Sequence, residues 1–243
     1  MSVFGPVLER ARAAKRVVFV TGAGISQESG IPTFRGEDGL WRNYDAMKLA
    51  TIGAFEENPG LVWEWYADRR KNILSALPNP GHAAVAELER HVSVSVLTQN
   101  VDGLHQRAGS SEVLELHGSI IRTRCTSCDF AQEIPSGLPG SPPLCGCGSM
   151  LRPDVVWFGE ELPQEVWSEA MSIASGCDFM VVAGTSLEVS PANMLPLQAK
   201  RNGATLVEIN PDPTPMSSEM DLAVREKCSA CLPELVSAFE SRN

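Results

Sequence analysis

The chain has 243 residues, with 20 basic and 30 acidic side chains and a formal net charge of -10. That length suits one large domain, or a large domain with a smaller one inserted, and can bury a substantial core. The acidic balance argues against a general nucleic-acid or phospholipid-surface binder, and no apolar run is long enough to span a bilayer.

The opening segment, "MSVFGPVLERARAAKR", reads as an amphipathic helix and lacks the uninterrupted apolar stretch of a signal peptide, so a cytoplasmic location is the default expectation. Four short apolar runs read as buried parallel strands: "RVVFVTG" (16–22), "VSVSVLT" (92–98), "DFMVVAG" (178–184) and "ATLVEIN" (204–210). Helical patterns lie in "PGHAAVAELERHV", "PQEVWSEAMSIASG", "ANMLPLQAKRNG" and "LPELVSAFESR". Strands alternating with helices predict an α/β fold with a parallel sheet and right-handed crossovers. Two segments break the alternation. Residues 37–80 read as aromatic-rich helices and loops, and residues 120–154 are rich in Cys, Gly and Pro; together they predict a smaller second module.

The first strand runs into "TGAGIS". Gly22 and Gly24 lack a Cβ, so backbone N–H groups can approach a phosphate, but Gln27 stands where a dehydrogenase fingerprint needs its third glycine. The loop therefore suggests a dinucleotide without ordinary hydride transfer. In "SGIPTFRG", Arg35 can pair with a phosphate and Phe34 can cover a ring. Further on, "WEWYADRR" (63–70) puts Tyr66 and Arg69 at i and i+3, on one helix face. Composition alone favours the plainer reading, a packed face of Trp63, Tyr66 and Arg70 with an arginine reaching outward. After the second strand, "TQNVDGLHQRAG" supplies Gln99, Asn100 and Asp102 where open α/β sheets bind ligands. Asp102 can equally be the cap of the next helix. The strand "VLELHGS" ends in His117, which is either structural or a general base near neutral pH. "CTSC" and "CGC" bring Cys125, Cys128, Cys145 and Cys147, four of the seven cysteines. In a segment too poor in apolar residues to fold alone they predict one structural Zn2+ site without an open position, its second half a C-x-C pair shorter than the common knuckle.

These motifs, with "ELHGS", "RPDVVWFGE", "GTSLEVSPA" and "EINPDPTP", occur in the order seen in sirtuins, the NAD-consuming protein deacylases, and the chain resembles that family from about residue 8 to about residue 237. The resemblance implies a Rossmann-like large domain from residues 1–36, 81–119 and 155–243. The small domain would combine a helical module (37–80) with a zinc module (120–154). NAD, as co-substrate, would lie between them. Gly22, Ala23 and Gly24 would cradle the pyrophosphate with Arg35 nearby, and Gln99 would meet the nicotinamide-side ribose. Asn100 and Asp102 would shape the nicotinamide pocket. Gly184, Thr185 and Ser186 would hold the adenosine half, Asn210 the adenine ribose, and the Cys228 backbone the adenine edge. The implied chemistry begins with attack of an acyl-lysine carbonyl oxygen on the ribose and loss of nicotinamide. His117 is the general base, and O-acyl-ADP-ribose is the product.

Acyl-lysine proteins or peptides would bind as an added strand between "DVVWF" and "SLEVS", with Val156 and Phe158 walling the acyl tunnel. A Tyr-x-x-Arg pair here resembles the mark of sirtuins that remove succinyl, malonyl or glutaryl groups, and Ala50 matches a small residue that enlarges the pocket. Tyr66 and Arg69 are then substrate-binding residues. The rival readings are a plain deacetylase, a mono-ADP-ribosyltransferase on the same NAD site, and a silent NAD-sensing adaptor. The expected state is a monomer, without nucleic-acid or membrane partners.

Overall fold

The computed structural model describes residues 2–33, 46–134 and 141–240. Its main sheet has six strands, all parallel: β1 (Arg16–Thr21), β2 (Ser93–Thr98), β3 (Val113–Glu115), β7 (Phe179–Ala183), β8 (Thr205–Ile209) and β9 (Leu222–Val224), in the order β3-β2-β1-β7-β8-β9. The four apolar runs are thus strands, each trimmed by a residue or two. The strand read in "VLELHGS" stops earlier than expected: β3 ends at Glu115, two residues short of His117.

Alternation sorts β1 between two layers. Val17 and Phe19 join one core with Val85, Leu88, Leu232 and Leu235, from helices Pro80–Leu88 and Cys228–Glu240. Val18 and Val20 join the other with Ala170, Ala174, Leu195 and Ala199, from helices Gln164–Gly176 and Leu195–Arg201. A sheet covered on both faces needs such continuously apolar strands. Strand order reverses at β1, whose neighbours β2 and β7 lead away in opposite directions, so a crevice opens at their carboxyl ends.

A second, antiparallel sheet pairs β4 (Gly118–Cys125) with β5 (Ala131–Glu133) and β6 (Leu151–Val155), in the order β5-β4-β6. Pro153 is tolerated because β6 is an edge strand. This sheet packs with helix Pro59–Ser75 in a third core that includes Phe55, Trp65, Tyr66, Ile120 and Trp157. The helix begins where Asn58 accepts the Leu61 N–H and Pro59 occupies the first turn. Among the described residues no helix is long and apolar enough to cross a membrane.

Candidate active site

The carboxyl ends of β1, β2, β7 and β8 open onto a cleft of about 1620 Å³ whose far wall is the helix Pro59–Ser75 and the segment after β6. Every candidate cofactor and substrate residue within the described range lines it; Phe34 and Arg35 lie outside the described residues.

The glycines after β1 have a use that their spacing does not reveal. A Cβ on Gly22 would lie 2.7 Å from Thr185 Cβ, and one on Gly24 would lie 2.8 Å from Gly184 Cα. The Gly22 N–H donates to Ala183 O (3.2 Å) and the Gly24 N–H to Gly184 O (2.8 Å). The close approach that these glycines allow is thus, first of all, an approach between two loops of the protein itself. Their missing Cβ atoms let the β1 and β7 loops meet, and the two amides serve that contact. Gly184, at φ +62°, returns the constraint: a Cβ there would sit 2.3 Å from the Ile25 nitrogen.

The loop after β2 gives Asp102 two partners, and Gly103, not Asp102, stands at the N-cap of the helix Leu104–Ala108. Asp102 Oδ1 accepts the Leu104 N–H (2.9 Å), as a turn-closing carboxylate does, while Oδ2 accepts the Ser26 hydroxyl (2.7 Å). Ser26 Oγ also accepts from Asn100 Nδ2 (3.2 Å), which donates to Gly22 O (3.0 Å) as well. His82 Nδ1 accepts the Asn79 N–H (3.3 Å), so its proton sits on Nε2, 3.4 Å from Ser26 Oγ. Burial pushes Asp102 upward, opposed by its Leu104 and Ser26 bonds, and pushes His82 down to about 4. Ser26 and His82 were passed over in the sequence. Only the capping pattern around Asn79 marked His82, and nothing local says that Ser26 meets a residue 76 positions later.

His117 Nδ1 lies 3.0 Å from Gln99 O, and a carbonyl only accepts, so Nδ1 carries the proton and Nε2 keeps its lone pair. Burial lowers its pKa, opposed by the hydrogen bond to the Gln99 carbonyl. The following residue must be glycine: at φ +75° a Cβ on Gly118 would come within 2.1 Å of Asp154 O. Gln99 Nε2 donates to Thr185 Oγ1 (2.9 Å), and Asn210 Nδ2 donates to Thr185 O (3.2 Å). The loop bearing Asn210 is held by Glu208, fully buried on β8, which accepts from Thr214, Ser217 and Arg225.

At the other end, Tyr66 and Arg69 share the cleft-facing side of their helix, and the Arg69 guanidinium lies 4.7 Å from the Trp65 ring centroid and 5.8 Å from that of Tyr66. Burial raises the Tyr66 phenol to about 12, opposed by Arg69, and lowers Arg69 itself, opposed by Tyr66. The outward-reaching arginine of the plainer reading is corrected: Arg70 is 5% exposed and donates from Nε to Ile120 O (2.8 Å) on β4. Tyr66 is both packed and cleft-lining. The Ala50 carbonyl accepts the Phe158 N–H (2.9 Å), which ties these two cleft-lining residues together.

The sulfurs of Cys125, Cys128, Cys145 and Cys147 lie within 4.8 Å of one another, with Cys125–Cys147 at 3.5 Å and Cys128–Cys145 at 3.7 Å. Thiolates bound to zinc at about 2.3 Å sit about 3.8 Å apart on a tetrahedron, so the set fits one structural zinc ion, and the C-x-C half is no obstacle.

Comparison with known proteins agrees with this geometry. The Sir2 family profile matches residues 22–191. The chain is 52% identical over 219 residues to NAD-dependent protein deacylase 1 of Caldanaerobacter subterraneus, covering 88% of this chain and 90% of that protein. It is 53% identical over 212 residues to the NAD-dependent protein deacylase of Aeropyrum pernix, covering 86% of each. A solved Sir2 homolog–NAD complex superposes with a TM-score of 0.92 at 48% identity, covering 96% of this chain and 93% of that one. A Sir2 complex with a deacetylated p53 peptide and 3'-O-acetyl ADP ribose superposes at 0.87 with 34% identity, covering 100% and 99%. With its sheet, its cleft and its four cysteines in this arrangement, the chain belongs to the Sir2 family.

Proposed function

We propose that this chain is an NAD-dependent protein-lysine deacylase that removes succinyl and malonyl groups as well as acetyl. The observation that carries the acyl preference is the pair Tyr66 and Arg69, set together on the wall of the cleft that also holds His117. A guanidinium binds a carboxylate through two parallel hydrogen bonds, and a phenol adds a third donor. A low-dielectric wall strengthens that pairing, and Ala50 leaves room for the longer chain.

Bound NAD supplies an electrophilic ribose carbon with nicotinamide as its leaving group. The chain's own groups do the rest. Gly22, Ala23 and Gly24 would hold the pyrophosphate; Arg35, as a phosphate partner, and Phe34, as the cover of a ring, keep their sequence-based roles outside the described residues. Gln99 orients the nearer ribose, and Gly184, Thr185, Ser186, Asn210 and the Cys228 backbone hold the adenosine half. Asn100 and Asp102, locked through Ser26 and His82, shape a site for the carboxamide without rearranging. His117 Nε2, neutral and unprotonated, accepts the ribose hydroxyl proton that must leave during acyl transfer. Val156 and Phe158 line the acyl-lysine path, and the walls exclude water from a cationic sugar. The zinc site keeps β4 and β6 together and takes no part in the chemistry.

The test uses matched peptides bearing acetyl-lysine or succinyl-lysine, purified protein and NAD, with mass spectrometry of the peptide and the ADP-ribose product. Succinyl removal at the higher kcat/KM, with O-succinyl-ADP-ribose formed, supports the reading. Acetyl removal alone keeps the deacylase chemistry and overturns the role given to Tyr66 and Arg69.

A further inference from the structure

We infer that Trp157 is a positioning residue: its indole N–H holds the Tyr66 hydroxyl so that the phenolic hydrogen is directed to the acyl group, which makes Trp157 a determinant of acyl selectivity. The inference rests on the acyl-pocket reading above.

Trp157 Nε1 lies 2.9 Å from Tyr66 Oη in buried surroundings. An indole nitrogen donates and never accepts, so the direction of this bond is unambiguous. The phenol oxygen is the acceptor, and its own hydrogen must point away from the indole. Among the described residues that hydrogen reaches no acceptor, while Tyr66 lines the cleft. A phenol without the indole contact can turn its hydrogen to whichever acceptor is nearest. With the contact in place, the donor direction is set before substrate arrives, which is where pre-organisation strengthens binding.

The indole is itself fixed without help from a ligand. Its backbone N–H donates to Glu160 Oε2 (2.7 Å). The Arg152 guanidinium lies 3.4 Å from its ring centroid and pairs with both Glu160 oxygens, at 2.5 and 2.8 Å. Arg152 also donates to Val155 O (2.9 Å), and Phe55 stands 5.3 Å from the indole on another side. A rigid path therefore runs from β6, through Arg152, Glu160 and Trp157, to the hydroxyl of Tyr66. The Arg69 guanidinium lies over the Trp65 and Tyr66 rings instead, 4.7 and 5.8 Å from their centroids.

The experiment measures kcat/KM for succinyl-lysine and acetyl-lysine peptides with the wild type, Trp157→Phe, Tyr66→Phe and the double variant. Trp157→Phe is expected to lower the succinyl-to-acetyl ratio about tenfold, chiefly through the KM of the succinyl peptide. In the Tyr66→Phe background the same substitution should change the ratio by less than about twofold, because the group it positions is gone. Glu160→Gln, which loosens the clamp and leaves the ring intact, should give a smaller fall. An unchanged ratio in both Trp157→Phe and Glu160→Gln, beside a lowered ratio in Tyr66→Phe, overturns the inference alone. Equal losses with and without Tyr66 also overturn it, since Trp157 would then act by packing. A wild type that does not act on succinyl-lysine overturns the acyl-pocket reading, and this inference with it.

Discussion

The two ends of the cleft are built by different means. At the cofactor end, side chains are placed by parallel strand ends, and the hydrogen bonds close on themselves: Ser26, Asn100, Asp102, His82 and the Gly22 carbonyl satisfy one another. At the acyl end, one helix face and the segment after β6 meet through aromatic rings and guanidinium groups. A buried polar network fails when any member is removed, because the remaining partners are left unsatisfied. An aromatic wall with a donor at its tip can change which acyl group it prefers through one or two substitutions. The chemistry should therefore be brittle and the specificity adjustable.

The sharpest way to break that contrast is at His117. His117→Tyr should lower turnover by at least about a thousandfold, with the melting temperature nearly kept. Measurable full turnover in that variant would remove the base from the cofactor end. Next in size, Tyr66→Phe/Arg69→Met should lower the succinyl-to-acetyl ratio of kcat/KM by about thirty- to a hundredfold, the worth of charge-assisted hydrogen bonds. If desuccinylation survives there while deacetylation falls, the two ends are not separable as described.

The zinc module tests how the acyl end is supported. Cys128→Ser should lose the metal by elemental analysis and lower stability by about 2 kcal/mol or more, a melting shift of roughly 4–8 °C at this size. The KM for the succinyl peptide should rise more than that for NAD, because β6 carries Arg152 and leads to Trp157. Equal effects on both would contradict the support path.

A last test, which leaves the specificity contrast untouched, is acid stability. His82 and His105 pack edge to face with centroids 4.9 Å apart, and burial lowers them to about 4 and about 3. Their folded values lie below the unfolded imidazole value of about 6.5, so the unfolded chain takes up protons first. Stability is then lost as pH falls from about 6.5 towards the folded values, on the order of 2 kcal/mol for each histidine by pH 5. Urea midpoints at pH 7 and pH 5 would measure it, and a midpoint that rises on acidification would have the wrong sign. The acid limb of kcat/KM should likewise lie below about pH 6.5, since burial lowers His117 too.

Much of the site was legible because its residues sit at ends of strands whose apolar runs are unmistakable. Gln99, Asn100 and Asp102 follow β2 directly, and Gly184 follows β7. The four cysteines announce themselves by type. Other features were not legible for stated reasons. The glycines after β1 looked like a phosphate loop and proved also to be the contact between two loops, which depends on β7 lying next to β1. The plainer reading had Arg70 reaching water, as an arginine in a helix usually does; it is buried, with its Nε–H donating to the Ile120 carbonyl.

By itself, then, the amino-acid sequence determined what short-range physics can encode: the strand and helix periods and the strand-end polar clusters, each confined to a dozen residues or so, and a thiol set legible by residue type between Cys125 and Cys147. Tertiary structure alone decided which of these meet. Ser26 finds Asp102 across 76 positions, and Trp157 finds Tyr66 across 91. Neither pairing has any local signature, because each follows from the order of strands in a sheet and from how a helix packs against it.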